Sequence, residues 1–375
     1  LLSQIAVFTI GLYFVCMFCH GELAARRPGP RHLTLFYLVV SLGGVLGGVL
    51  VGIVAPVTLP GFLEIPIALV AIASLALVTN LRRPWPIVAL LFAVLGGTGF
   101  ALEYYVMNFR EDTVHIERNY YGVLRVREEQ GDPSDPDTRY RDLMNGAILH
   151  GKQYLSEKYR RSATTYYKVG SGIGRTLLAF EGRPIRVAVI GLGAGSLAVY
   201  GDADDVYRFY DINPAVVRVA HQWFSYLDDC PCHVDVVLGD ARLSMAAEAP
   251  QGYDVIAVDA FTGDSIPVHL ITVEAVSQYL RHLKPKGVIA FHVSNRFLDL
   301  KPVLVEIARV QGLELTFMHE TGEDGGTTSD WVLLAHDKEF LAKPSIREIS
   351  EPVEPKPGLS AWTDNFSNLV QVFRW

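Results

Sequence analysis

The sequence predicts an α-helical transmembrane region of about four helices, followed by an α/β unit in which a small antiparallel β lead-in precedes a doubly wound sheet. Three observations predict it. First, charge is unevenly spread. Residues 1–107 hold only Glu22, Arg26, Arg27, Arg31, Glu64, Arg82, Arg83 and Glu103, out of 40 acidic and 33 basic side chains in the 375-residue chain. Second, residues 108–182 alternate apolar and polar positions and are broken by turn residues. Third, strand-like and helix-like stretches alternate from Arg183 onward, as in a mainly parallel sheet with helices on both faces.

A membrane-spanning helix needs roughly 20 apolar residues to cross about 30 Å of hydrocarbon. Residues 1–19, 33–57, 62–79 and 85–106 meet or approach that length. The second contains SLGGVLGGVLVG, with Gly43 and Gly47, and Gly44 and Gly48, four apart, a spacing that predicts close helix–helix packing. The loops ELAARRPGPRH and NLRRPWP carry arginines, whereas the loop around Thr58–Gly61 carries none. The positive-inside rule places both arginine loops in the cytoplasm, and four spans then put residues 108 onward on the opposite side. The chain opens inside an apolar run without Met, so further helices before it are expected. Cys16–His20, CMFCH, matches the c-type haem attachment pattern, but it sits at the end of an apolar helix, where small buried cysteines are the simpler reading. His20 and Glu22 read as an interfacial pair.

The elements after Met107 follow in order. TVHIERNYYGVLRVREE reads as two strands, QGDPSDPDT as an exposed loop, and AILHGKQY as the return strand of a hairpin turning at Asn145-Gly146. Strands are then expected near 185–190, 206–211, 233–238, 253–259, 287–293, 313–319 and 330–335, with helices near 195–200, 214–227, 241–248, 271–283 and 300–311. The domains predicted are 1–107 (helical), 108–182 (β-rich), 183–340 (doubly wound) and 341–375, where EPVEPKPG is a linker to a tail containing Asp364 that returns toward the cleft. Four cysteines make no disulfide framework, and Cys230 and Cys232, flanking Pro231, are expected as thiols. A net charge of −7 without a basic tract excludes nucleic acid as the main partner. No Cys/His cluster has metal spacing, so no metal is expected.

Ligands of such sheets bind outside the carboxyl ends of the strands. The first of these strands ends at GLGAGS, where Gly191, Gly193 and Gly195 permit a sharp turn. Asp211 ends the second, 20 residues after Gly191, placed to accept hydrogen bonds from ribose hydroxyls. Gly239-Asp240-Ala241 ends the third and Asp259 the fourth, in VDAFTGDSIP. These strand ends predict a nucleoside-containing cofactor. NAD agrees with the glycines and Asp211, but not with the further acids and the β lead-in.

Through HGKQY, GLGAGS, YDINP, GDAR and YDVIAVDAF the chain resembles the spermidine synthase (polyamine aminopropyltransferase) family over about 108–340. Through CHGELA, FYLVVSLGG and WTDNFSNL it resembles more closely the membrane-attached, spermidine-synthase-like proteins of bacteria. The resemblance implies a Rossmann-like, methyltransferase-type sheet. It implies S-adenosylmethionine or its decarboxylated form as co-substrate, methylthioadenosine as product, and aminopropyl transfer to a small-molecule amine. It also implies a multi-pass protein of the bacterial plasma membrane, as a homo-oligomer or membrane complex, with a cytoplasmic soluble part despite the arginine loops. By position, Gln153 approaches the nucleoside, Asp211 takes the ribose, Asp240 and Ala241 take the adenine, and Asp259 receives the amine's proton, with Asp264 as the second acid.

Departures from the family accompany these matches. Ala194 stands where the family has an aspartate that holds the aminopropyl ammonium. Asp264 follows Asp259 by five residues instead of three. Thr165-Tyr166-Tyr167 replaces a tyrosine-histidine pair, and FHVSNRF brings His292, Ser294 and Asn295 to a strand end. Tyr166, Tyr167, His292 and Asn295 are therefore candidates for the substrate pocket, whereas His150 reads as structural. Loss of the ammonium-binding acid also fits a lyase or carboxypropyl-type enzyme on intact S-adenosylmethionine. A methyltransferase, and a non-catalytic nucleoside-binding subunit of a membrane complex, are the remaining alternatives.

Overall fold

The structure, a computed structural model, describes residues 2–180, 182–261, 266–322 and 327–374. It divides into two units near Glu111.

In the first unit three helical stretches are long and apolar enough to cross a membrane: Ile5–Ala25, Pro30–Thr58 and Trp85–Arg110. The fourth, Glu64–Asn80, has 17 residues and falls short of that length. Large apolar side chains point outward along these helices; Phe8 is 73% exposed and Trp85 80%. The glycines of SLGGVLGGVLVG have nothing within 4 Å of where a Cβ would sit, so the described residues of this chain supply no helix against that stripe.

The second unit opens with a four-stranded antiparallel sheet of β1 (Thr113–Asn119), β2 (Gly122–Glu129), β3 (Tyr140–Asn145) and β4 (Ile148–Tyr154), in that order. The hairpin between β3 and β4 turns one residue later than expected. A register shift at Leu143/Met144 keeps Asn145 in β3, paired with Ile148, and Gly146 takes the positive φ of +60°.

Then come β5 (Arg186–Ile190), β6 (Val206–Asp211), β7 (His233–Leu238), β8 (Tyr253–Val258), β9 (Leu283–His292), β10 (Glu314–Glu320), β11 (Ser329–Ala335) and the short β12 (Ser350–Glu351). They form one sheet in the order β12-β10-β11-β9-β8-β5-β6-β7. The run from β9 to β7 is parallel, and β11 is antiparallel to both its neighbours. Successive residues of a strand point to opposite faces. Accordingly Val187, Val189, Val255 and Ala257 enter one core, and Ala188, Ile190, Ile256 and Val258 the other. Helices Pro214–Trp223, Ala241–Ala247, Val273–His282 and Lys301–Gln311 cover the sheet, while residues 196–200 tighten into a 3-10 turn.

Chain order reverses beside β5: β6 lies on one side and β8 on the other. A crevice opens at such a switch point. Cys230 and Cys232, expected as thiols, are joined in a disulfide, with their Cα atoms 5.1 Å apart. Pro231 fixes the turn between them, and Gly201 beneath has no Cβ to hold the sulfurs apart. The tail packs Trp362 into the second core and ends beside residues 297–299, where the Asp299 N–H donates to Val372 O at 2.7 Å.

Candidate functional site

At the switch point the ends of β5 and β8 touch. The Asp259 N–H donates to Ile190 O at 2.8 Å, and a Cβ on Gly191 would lie 2.4 Å from the Asp259 carbonyl oxygen. Gly191 also takes φ +101°, a conformation side chains rarely adopt. Glycine is thus required there on both counts. A Cβ on Gly193 would come within 2.6 Å of the His150 carbonyl, so the turn lies directly against β4.

Gly191, Gly193, Asp211, Asp240, Ala241 and Asp259 all line a chamber of about 320 Å³ at these strand ends. Asp211 accepts from the main-chain N–H of Leu192 at 2.9 Å and of Asn213 at 2.8 Å. Burial raises its pKa above the ordinary carboxylate value, and the two N–H donors work against that rise. Asp240 caps the helix that follows it, accepting from the Leu243 N–H, and its second oxygen meets His269 Nε2 at 2.9 Å.

A second chamber, of about 400 Å³, shares His150 and Phe261 with the first. Tyr166, His292, Ser294 and Asn295 line it, and Arg374 brings the tail to its wall. Between the chambers lies a connected set of side chains around Asp259. Tyr167 donates its hydroxyl to Oδ2, and His292 Nδ1 meets Oδ1 at 2.7 Å. His292 Nε2 lies 2.9 Å from Ser294 Oγ, which accepts the Asp330 N–H at 2.8 Å. The imidazole is stacked between Tyr166 and Trp331, with centroids at 4.6 and 4.7 Å, and Phe261 meets its edge. Burial, and secondarily the Asp259 charge, hold the Tyr167 hydroxyl well above its ordinary pKa, so it stays a donor.

His150 projects to the junction of the chambers, and among the described residues its Nε2 has no hydrogen-bond partner. Burial lowers its pKa, keeping it neutral, although the Asp259 charge pulls the other way. Its structural reading in the sequence missed this position. The signal available was its place one residue before Gly151, at the point where β4 meets the glycine turn.

Among the described residues, three expected ones line neither chamber: Gln153, Gly195 and Tyr167, whose hydroxyl reaches Asp259 from between them. Gln153 is buried away from both; its amide donates to Arg160 O and Ser225 Oγ and accepts the Ser225 N–H. Every polar atom of that amide is used within the scaffold. Gly195 meets Leu227 instead of the cavity. Asp264 lies outside the described residues. Ala194 is buried with its Cβ facing Gly151, where an added Cβ would come within 2.5 Å. The Ala194 methyl therefore packs against β4. Asn295 is at the second chamber, but its Oδ1 is engaged by the N–H groups of Phe297 and Leu298.

No family model matches the chain. Over 132 residues, 33% of the chain, it is 34% identical to the polyamine aminopropyltransferase of Vibrio vulnificus, covering 42% of that protein. Over 113 residues it is 37% identical to the N-terminal histidine N-methyltransferase of Emericella nidulans, covering 19% of it. The chain thus spans less than half the length of the curated relatives it matches. Among solved structures, a probable spermidine synthase from Corynebacterium glutamicum aligns with a TM-score of 0.52 at 18% identity, covering 68% of this chain and 97% of that one. At that identity the likeness shows a shared fold. Both comparisons agree with the resemblance read from HGKQY, GLGAGS and YDVIAVDAF.

Proposed function

We propose that this protein is a membrane-bound transferase that takes a sulfonium nucleoside of the S-adenosylmethionine type in the first chamber. It passes the sulfonium's alkyl group to an amine in the second and releases methylthioadenosine. The observation that carries the reading is the pair of adjoining chambers with a carboxylate, Asp259, at their junction. Asp211 and Asp240 suit ribose and adenine, being fixed acceptors at the ends of β6 and β7. The sulfonium loses its positive charge as the carbon–sulfur bond breaks, so nearby carboxylates aid binding more than rate. The acceptor must attack as a neutral amine, and Asp259 supplies the negative charge that favours removing its proton. The outward apolar faces of Ile5–Ala25, Pro30–Thr58 and Trp85–Arg110 support attachment to a bilayer.

One observation favours a second reading. Ala194 stands where the family's ammonium-binding aspartate would be, and its methyl packs against Gly151. Loss of that acid fits intact S-adenosylmethionine, which bears a carboxylate, cleaved by a lyase or carboxypropyl-type reaction. The test is incubation of the purified protein with intact or decarboxylated S-adenosylmethionine, with and without putrescine, and mass spectrometry of the adenosine products. Methylthioadenosine that requires the decarboxylated donor and an amine establishes aminopropyl transfer. Methylthioadenosine from intact donor alone establishes the second reading. S-adenosylhomocysteine would instead mean methyl transfer, and binding without product would mean a nucleoside-binding subunit.

A further inference from the structure

Asp259 is a poor direct base for anything in the second chamber. Its side chain is only 2% exposed, both its oxygens are engaged, and it lines the first chamber alone. Of the side chains linked to Asp259, His292 and Ser294 face the second chamber. With Asp259 as a carboxylate, which only accepts, His292 carries its hydrogen on Nδ1. Nε2 of the neutral imidazole is then an acceptor. Ser294 Oγ already accepts the Asp330 N–H, so its own hydrogen is directed at Nε2. The result is an unbroken line from Ser294 Oγ through the imidazole to Asp259, in the sense used for activating nucleophiles.

We propose that the proton acceptor for the second chamber is His292, reached through Ser294, and that Asp259 acts by orienting the imidazole. This rests on the transferase reading above. The acceptor's ammonium gives a proton to Ser294 Oγ while the Ser294 hydrogen crosses to Nε2, which frees the nitrogen's lone pair. That pair then forms its bond to the methylene carbon as the carbon–sulfur pair leaves on sulfur as a neutral thioether. The imidazolium formed lies between Asp259 and Ser294, on the faces of Tyr166 and Trp331, which favour a positive charge. It returns its proton to solvent after turnover, and no other co-reactant is needed. Among the described residues, the titratable and charged groups around His292 are Asp259, Tyr166, Tyr167 and His150, with Asp330 behind Ser294 and Arg296 and Arg374 on the chamber wall.

The experiment compares the full chain with His292→Gln, Asp259→Asn, the double variant and Ser294→Ala. It measures methylthioadenosine formation against pH, together with donor affinity. A base acting as one unit predicts a loss of about 10²-fold or more in kcat for either single variant, and no further loss in the double. Ser294→Ala, which removes only a hydroxyl, is expected to lower kcat about tenfold with donor affinity intact. Ser294→Ala should keep the shape of the wild-type pH–rate profile, and His292→Gln should depart from it. Multiplying losses in the double variant, or full turnover in Ser294→Ala or His292→Gln, would overturn the relay alone. Binding of donor with no product from the wild-type chain would overturn the transferase reading, and the relay with it.

Discussion

Asp211 and Asp259 end the two strands that flank β5, and both line the first chamber, yet they are held in different ways. Main-chain N–H groups grip Asp211 on both oxygens. A phenol and an imidazole grip Asp259. Main-chain donors keep their hydrogens at every accessible pH, so Asp211 is a fixed acceptor suited to recognition. Side-chain donors exchange protons, so the Asp259 side of the crevice is suited to chemistry. On the proposed function, one fold provides a binding edge and a reactive edge across a single glycine turn.

The largest test of that contrast is Asp259→Asn. It should lower turnover by about 10²-fold or more while leaving donor affinity within a few-fold, measured by calorimetry and product assay; equal loss of both would erase the distinction between the edges. Next is Gly191→Ala. The added Cβ presses on the Asp259 carbonyl and strains the backbone, so a destabilisation of about 1–3 kcal/mol and a loss of both binding and turnover are expected from denaturant melts and kinetics.

Ala194→Asp should cost about 1–3 kcal/mol by crowding Gly151, without creating a preference for decarboxylated donor. A gain of that preference in competition assays would show that β4 yields.

The smallest effect sharpens the contrast from outside the crevice. Burial raises the Asp142 pKa from 3.8 to about 6, against the opposing pull of Lys152 and Arg127. The folded state then binds this proton more tightly than the unfolded chain, so the group's contribution falls as pH rises from about 4 to about 6 and stays low above that. Asp142→Asn should therefore gain stability relative to wild type across that window, read as a growing difference in Tm; a constant difference would contradict the raised value.

Much of the architecture follows from short-range pattern, which the sequence displays directly. Charge depletion in residues 1–107 marks the apolar helices, because lipid tolerates few charges. The spacing from Gly191 to Asp211 marks a strand, a turn and a strand, because both residues lie within one β-turn-β unit whose geometry is local. Asp240 and Asp259 were legible for the same reason, each being the first polar residue after an apolar strand. The shortness of Glu64–Asn80 was not, since an apolar run does not state where its helix ends.

What tertiary structure alone decided is which side chains meet across long intervals of chain. Tyr167, His292 and Asp259 come from three separate elements, and nothing in the spacing of those residues says that they share one carboxylate. Gln153 was assigned to the ligand by position, but Ser225, far along the chain, claims its amide. The Cys230–Cys232 bond depends on how Pro231 turns above Gly201. Ala194 reads in the sequence as a missing acid, and only the tertiary structure shows that its methyl packs against Gly151 of β4. Local periodicity determines elements because neighbouring residues share a backbone. Contacts between elements depend on the packing of the whole sheet, and so the reactive edge of this protein was settled only when β4, β8, β9 and β11 were brought together.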